Sequence, residues 1–119
     1  MGIESTSKEQ SFYIAVILYE SSSSAPEYKH LYEECFVLIK ATSLEEANEK
    51  ALVYSREQEG SYQNEYNNTI TWSLKQVVDV NSVLYDEFDD GTELYARHFH
   101  NYEAYRLFEP LLSDSESEL

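Results

Sequence analysis

The side chains best suited to chemistry in this chain are the carboxylates that crowd around Gly91. Five of them lie close together in the sequence: Asp86, Glu87, Asp89, Asp90 and Glu93. Counted as a calcium loop from Asp86, the segment has Asp90 and Gly91 at the required positions. Phe88 and Arg97, however, occupy two positions at which the loop needs oxygen ligands. The segment therefore predicts a solvated acidic turn, with a weak, non-specific divalent site as the alternative.

Two histidines that follow this segment raise the question of a metal centre. His98 and His100 are two positions apart, so a regular strand would present both on one face. Together with a carboxylate from residues 86–93 they would give a small metal-dependent hydrolase. Zinc normally takes three or four protein ligands, and the sequence shows no third one. We treat this hydrolase as the alternative hypothesis.

The remaining sequence offers no catalytic set. Cys35 is the only cysteine, and the glutamates before it raise the pKa of a thiol, which indicates a small packed residue and not a nucleophile. No nucleophile elbow, phosphate-binding glycine loop or zinc-protease motif occurs. We therefore predict no catalytic residue, no bound metal and no cofactor.

Net charge limits the classes of partner. The chain of 119 residues has 23 acidic and 8 basic residues, which gives a net charge of -15. Such a field repels nucleic acid and anionic membranes and attracts basic proteins. The predicted function is a non-catalytic binding module for a basic protein partner, for example an inhibitor or immunity-type protein that occludes a basic nuclease site. The competing explanation is that the charge only maintains solubility.

The predicted interaction surface combines the acidic turn with nearby aromatic and basic side chains. It consists of Asp86, Glu87, Asp89, Asp90, Glu93, Tyr95, Arg97, Tyr102 and Tyr105. Aromatic and apolar residues after position 101 occupy more than one face of a short helix, so they also predict a homodimer.

Hydrophobic patterns predict the elements that position these residues. Strands are expected at Ser11–Glu20, Leu31–Lys40, Thr69–Val78 and Glu93–Phe99, with a helix from Ser43 to about Gln58 and a short helix after Asn101. This order, β-β-α-β-β-α, predicts an α+β fold: an antiparallel four-stranded sheet with one long helix packed on a face and a short C-terminal helix. Residues 61–68 are predicted to be a polar connection, and Asp79 and Asn81 are expected to end the third strand.

The long helix has the clearest local signals. Ser43 and Glu46 form a capping box in which the Glu46 carboxylate would accept from the Ser43 amide. Leu44, Ala47, Ala51 and Tyr54 would form the buried stripe, and Gly60 would stop the helix.

We expect a single domain over residues 11–112, with disordered ends at 1–10 and 113–119. The polar N-terminal segment lacks the apolar core of a signal peptide, and no apolar run approaches the roughly 20 residues that span a bilayer. These features predict a cytoplasmic protein.

Sequence motifs resemble one known family. From Trp72 the chain reads W-S-L-K-Q-V-V-D-V and then L-Y-D-E-F-D-D-G-T-E-L-Y-A-R, after Y-I-A-V-I-L-Y-E and E-C-F-V-L-I-K-A strands. Over roughly Tyr13 to Phe99 this resembles the small bacterial proteins of domain-of-unknown-function family 4288 (DUF4288). The matching positions include Trp72, Asp79, Asp90, Gly91, Thr92, Glu93, Tyr95 and Arg97. The resemblance implies a single-domain protein and brings no established reaction.

Overall fold

The computed structural model describes residues 9–109 and 111–112. In chain order its elements are β1 (Ser11–Ser23), β2 (Tyr32–Ala41), α1 (Leu44–Glu57), β3 (Gly60–Gln63), β4 (Thr69–Ser82) and α2 (Tyr102–Phe108). The strands form one antiparallel sheet in the order β2-β1-β4-β3. The predicted α+β class, with an antiparallel four-stranded sheet and two helices, is confirmed.

Strand β1 lies inside the sheet, which explains its continuous apolar sequence. Tyr13, Ala15 and Ile17 belong to the core on the α1 side. Ile14 and Val16 point to the opposite face because side chains alternate along a strand, and they are buried as well. A strand buried on both faces cannot show the polar alternation of a half-exposed strand.

Helix α1 begins where the capping signal predicts. The Ser43 hydroxyl accepts from the Glu46 amide at 3.0 Å. The Glu46 carboxylate accepts from the Thr42 amide at 2.6 Å, so the predicted bond to the Ser43 amide is wrong by one residue. The first contact satisfies an amide that the helix start leaves without a partner, and the second ties the preceding residue to the first turn.

The buried stripe of α1 differs from the prediction. Ala47, Ala51 and Ser55 are buried, whereas Leu44 is 50% exposed and Tyr54 is 36% exposed. Three small residues at intervals of four allow the helix to lie close to the sheet, and the larger side chains are left at the sides of that contact. Ser55 donates its hydroxyl to the Ala51 carbonyl at 2.6 Å, so burial does not leave it unpaired.

The fourth strand is not the predicted one. Residues Glu93–Phe99 are irregular, and Gly60–Gln63, which was predicted to be part of a connection or a helix stop, forms β3 against β4. Asn64 closes this hairpin by accepting from the amides of Tyr66 and Asn68. Strand β3, and not residues 93–99, therefore takes the fourth place in the sheet, at the edge beside β4. Residues 93–99 belong instead to the segment that crosses the face of the sheet.

Strand β4 is longer than predicted, because its pairing with β1 continues to Ser82, and it contains two register shifts. The prediction that Asp79 and Asn81 end the strand is wrong, since both pair with β1. The shifts lie opposite Val16/Ile17 and Leu18/Tyr19, and each adds one residue to β4. Val77 and Val80 consequently pack against the core, whereas Val78 is 41% exposed.

Several sequence predictions concern the ends of the chain. The disordered N-terminus predicted for 1–10 lies outside the described residues apart from Glu9 and Gln10, and the tail 113–119 lies wholly outside them. Asn101 caps α2 as expected, accepting from the Ala104 amide at 3.0 Å. Within the described part of the chain, no helix combines the length and the hydropathy that a membrane span requires.

Candidate functional site

The acidic turn, residues 85–93, is attached to the face of the sheet opposite α1. The chain leaves β4 through Val83, whose amide donates to the Phe12 carbonyl at 2.8 Å. The Phe88 ring then packs on Phe12 with centroids 5.0 Å apart. On the far side of the turn, Tyr95 packs on Phe36 at 5.7 Å. These two aromatic contacts hold the acidic turn on the sheet, one from within it at Phe88 and one just after it at Tyr95.

Backbone geometry fixes the tip of the acidic turn. The Thr92 amide donates to the Asp89 carbonyl at 3.0 Å, and the Thr92 hydroxyl accepts from the Asp89 amide at 2.9 Å. Gly91 has φ of +92°, a conformation that favours glycine because it has no Cβ. The turn predicted from Asp-Asp-Gly-Thr is therefore present, although no hairpin strand follows it.

The structure brings together five of the nine residues predicted for the interaction surface. They line one shallow depression with Tyr85, Gly91 and Thr92, and all five are exposed: Asp86, Glu87, Asp89, Asp90 and Glu93. Ion pairs among the described residues involve only two carboxylates, those of Glu20 and Glu103. The acidic turn thus presents its charges to solvent without an ion pair to a basic residue in the described part of the chain.

Tyr95, another predicted surface residue, is part of the packing. Its hydroxyl donates to Asp79 at 2.7 Å, and its ring is only partly exposed. Burial raises the pKa of Tyr95, and the hydrogen bond to Asp79 raises it further. Tyr95 therefore stays protonated and anchors the acidic turn to β4.

The other three predicted residues do not line this depression. Arg97 and Tyr102 are exposed, and Tyr105 stacks on Phe99 with ring centroids 5.0 Å apart. On α2, the Leu107 and Phe108 side chains are 72% and 67% exposed. The aromatic part of the predicted surface is thus a separate region on and before α2.

The geometry gives the hydrolase alternative no additional support. His98 and His100 are exposed. Across residues 9–109 and 111–112, no three side chains of histidine, cysteine, aspartate or glutamate are grouped so that they could hold a metal ion. Cys35 is half-buried, and burial raises the pKa of its thiol, with Glu33 and Glu34 adding to the effect.

An aromatic cleft on the α1 side of the sheet escaped the sequence analysis. It has a volume of about 520 Å³ and is lined by Tyr19, Glu33, Cys35, Tyr54, Gln58, Gly60, Ser61, Tyr62 and Trp72. Its wall includes β3, which the sequence pattern assigned to a connection. The only signal available was the spacing of Glu33 and Cys35, which places both on one face of β2.

Comparisons with known proteins identify a family and nothing more specific. A family model described as "Domain of unknown function (DUF4288)" matches residues 12–96. This range includes α1, the acidic turn and all of the sheet apart from Ser11. No curated protein and no solved structure matches the chain. The match confirms the resemblance seen in the W-S-L-K-Q and D-G-T-E-L-Y-A-R motifs, and the chain belongs to the DUF4288 family.

Proposed function

We propose that this protein is a non-catalytic binding module that engages a basic protein partner through the acidic turn. The observation that supports this proposal is the arrangement of five exposed carboxylates in one depression, with no ion pair to a described basic residue. Carboxylates in this state attract Lys and Arg side chains without first breaking an internal pair. An inhibitor or immunity-type protein that covers a basic active site is the specific form of this function that we propose.

The rigidity of the acidic turn favours binding over simple solubility. A charge that only maintains solubility can be placed on any mobile side chain. Here the turn is held by the ring contacts of Phe88 and Tyr95 and by two Asp89–Thr92 hydrogen bonds. Because these contacts order the acidic turn before a partner binds, less conformational entropy is lost when the complex forms.

A pair of charge-matched variants tests the proposal. In the first, D86N, E87Q, D90N and E93Q remove four of the five charges of the acidic turn. In the control, E45Q, E49Q, E57Q and E65Q remove the same charge from exposed glutamates elsewhere. Wild-type protein is used as bait in its native lysate at 50 mM and 500 mM NaCl, and captured proteins are identified and titrated with each variant.

We expect a basic protein that is retained at low salt and released at high salt. The acidic-turn variant should bind it at least about tenfold more weakly, and the control within about threefold of wild type. Equal losses in both variants would show that only total charge matters. Retention of no basic protein at low salt would contradict the proposal.

We also propose that the protein forms a homodimer in the cytoplasm. The exposed Leu107 and Phe108 side chains of α2 support self-association, since large apolar patches on a protein surface often mark interfaces. A single half-buried cysteine is compatible with a reducing compartment. Light scattering at physiological salt should give twice the mass of the 13.9 kDa chain, and L107S/F108S should give the monomer mass. A wild-type monomer at high micromolar concentration would contradict the dimer, and fractionation of tagged protein checks the compartment.

A further inference from the structure

The aromatic cleft is assembled from every strand of the sheet and from the end of α1. Tyr19 of β1, Cys35 of β2 and Trp72 of β4 are buried or half-buried and form its floor. Tyr54 from the last turns of α1 and Tyr62 from β3 are more exposed and form its walls. The cleft is therefore lined by four aromatic side chains, of which two, Tyr54 and Tyr62, are exposed.

The electrostatics of the aromatic cleft favour a cation. Glu33 is the only carboxylate in the lining, it is exposed, and it forms no ion pair with a described residue. Gln58, the C-cap of α1, also lines the cleft, so the negative end of the helix dipole lies beside it. Burial raises the pKa of the Cys35 thiol in the floor of the cleft, and the charges of Glu33 and Glu34 raise it further, but only Glu33 lines the cleft.

Aromatic faces beside a carboxylate match one ligand chemistry closely. The faces of Tyr and Trp rings attract cations, and a guanidinium group can stack on a ring while it donates two hydrogen bonds to a carboxylate. An ammonium group is a compact point charge and uses fewer of these contacts. A volume of about 520 Å³ accommodates a side chain or small molecule, not a folded surface.

We propose that the aromatic cleft binds the guanidinium group of an arginine side chain that a protein partner presents. The site lies on the opposite face of the sheet from the acidic turn. This inference rests on the proposed function only for the source of the arginine. The binding chemistry of the cleft can therefore be tested separately.

Trp72 makes the test direct, because it is the only tryptophan in the sequence and it lines the cleft. The full chain is titrated at 50 mM NaCl with acetyl-Gly-Arg-Gly-amide, with the same peptide containing citrulline, and with methylguanidinium. Citrulline keeps the shape of arginine and removes its charge. We expect saturable changes in Trp72 fluorescence with the arginine peptide, and binding of the citrulline peptide at least about tenfold weaker.

Methylguanidinium distinguishes the source of the cation. Tighter binding of the arginine peptide than of methylguanidinium supports an arginine carried by a protein. Tighter binding of methylguanidinium would overturn that assignment in favour of a free small cation. The absence of a saturable change with any of the probes, or equal binding of the citrulline peptide, would overturn the cation site itself.

Adjacent glutamates provide a matched pair of variants. Glu33 lines the cleft, whereas Glu34 follows it on the other face of β2 and has the same charge and an exposed side chain. E33Q should weaken binding of the arginine peptide by about tenfold, and E34Q should weaken it by less than about twofold. The unfolding midpoints of both variants should equal that of wild type. Equal effects would show that only the general field of the molecule acts, and would overturn the proposal.

A final comparison separates this inference from the proposed function. The acidic-turn variant described above should bind the arginine peptide within about twofold of wild type, because the two sites lie on opposite faces of the sheet. Loss of the basic protein with retained peptide binding is the expected result and supports two separate sites. Loss of peptide binding in that variant would overturn the assignment of the arginine to the aromatic cleft.

Discussion

At the scale of single residues, the Tyr19 hydroxyl ties the sheet to the helix. It donates to the Ser55 carbonyl at 3.0 Å in a buried position, and burial raises its pKa. Replacing Tyr19 with Phe should lower the free energy of unfolding by about 1 kcal/mol, because the hydrogen bond is lost while the ring stays packed. Urea unfolding at pH 7 measures the change. Tyr62→Phe, on an exposed side chain, serves as the control, and an equal effect in both would contradict the role of this bond.

The Glu46 carboxylate makes the free energy of unfolding depend on pH in the acid range. Hydrogen bonds from the Thr42 amide and hydroxyl hold the pKa of Glu46 below its usual 4.5. A lowered pKa in the folded state means that the stabilisation is present above pH 4.5 and is lost as pH falls through the native pKa. Urea unfolding of Glu46→Gln should therefore show a deficit at pH 7 that shrinks as the pH falls below 4.5. A difference that does not change with pH would contradict this mechanism.

At the scale of elements, the N-terminus of α1 depends on one hydroxyl. Ser43 accepts from the Glu46 amide, and no other side-chain acceptor on that amide is present among the described residues. Ser43→Ala should destabilise the protein by about 1 kcal/mol, the usual cost of removing a serine cap. Thermal or urea unfolding measures this value. Ser43→Asp, which also caps helices well, should restore most of it, and failure of that rescue would contradict the capping explanation.

Elements with local signals were predictable, and those defined by pairing were not. The cap at Ser43 and the turn at Gly91 are encoded within four residues, and both were predicted at the correct positions. Strand β3 is polar and exposed, so only its hydrogen bonds to β4 identify it as a strand. The register shifts in β4 are likewise set by its pairing with β1, and the alternation of its own side chains gives no sign of them.

The same contrast applies to the candidate sites. The acidic turn is one short segment, so its residues could be grouped from the sequence alone. The aromatic cleft combines Tyr19, Glu33, Tyr54, Tyr62 and Trp72, which come together only when the strands and α1 pack. Without a correctly placed β3, Tyr62 could not be assigned to the same cleft as Tyr54.

At the scale of the whole molecule, the net charge of -15 acts against the folded state. The described residues form three ion pairs, so repulsion among carboxylates outweighs attraction. Salt should therefore stabilise the protein, by about 1 kcal/mol between 20 mM and 500 mM NaCl, because screening weakens the repulsion. Urea unfolding across this range measures the effect, with KCl as a check on ion specificity. A fall in stability with salt would show that ion pairs dominate.

The position of β2 at the edge of the sheet has a consequence for aggregation. Its outer backbone groups face no further strand among the described residues, and its Phe36 and Leu38 side chains are 60% and 46% exposed. Such edges can pair with a second copy, and like charge is a common way to prevent it. Near the isoelectric point of about 4.3 that protection disappears. We expect turbidity to rise sharply as the pH falls towards 4.3 and to fall again at lower pH, where the net charge becomes positive.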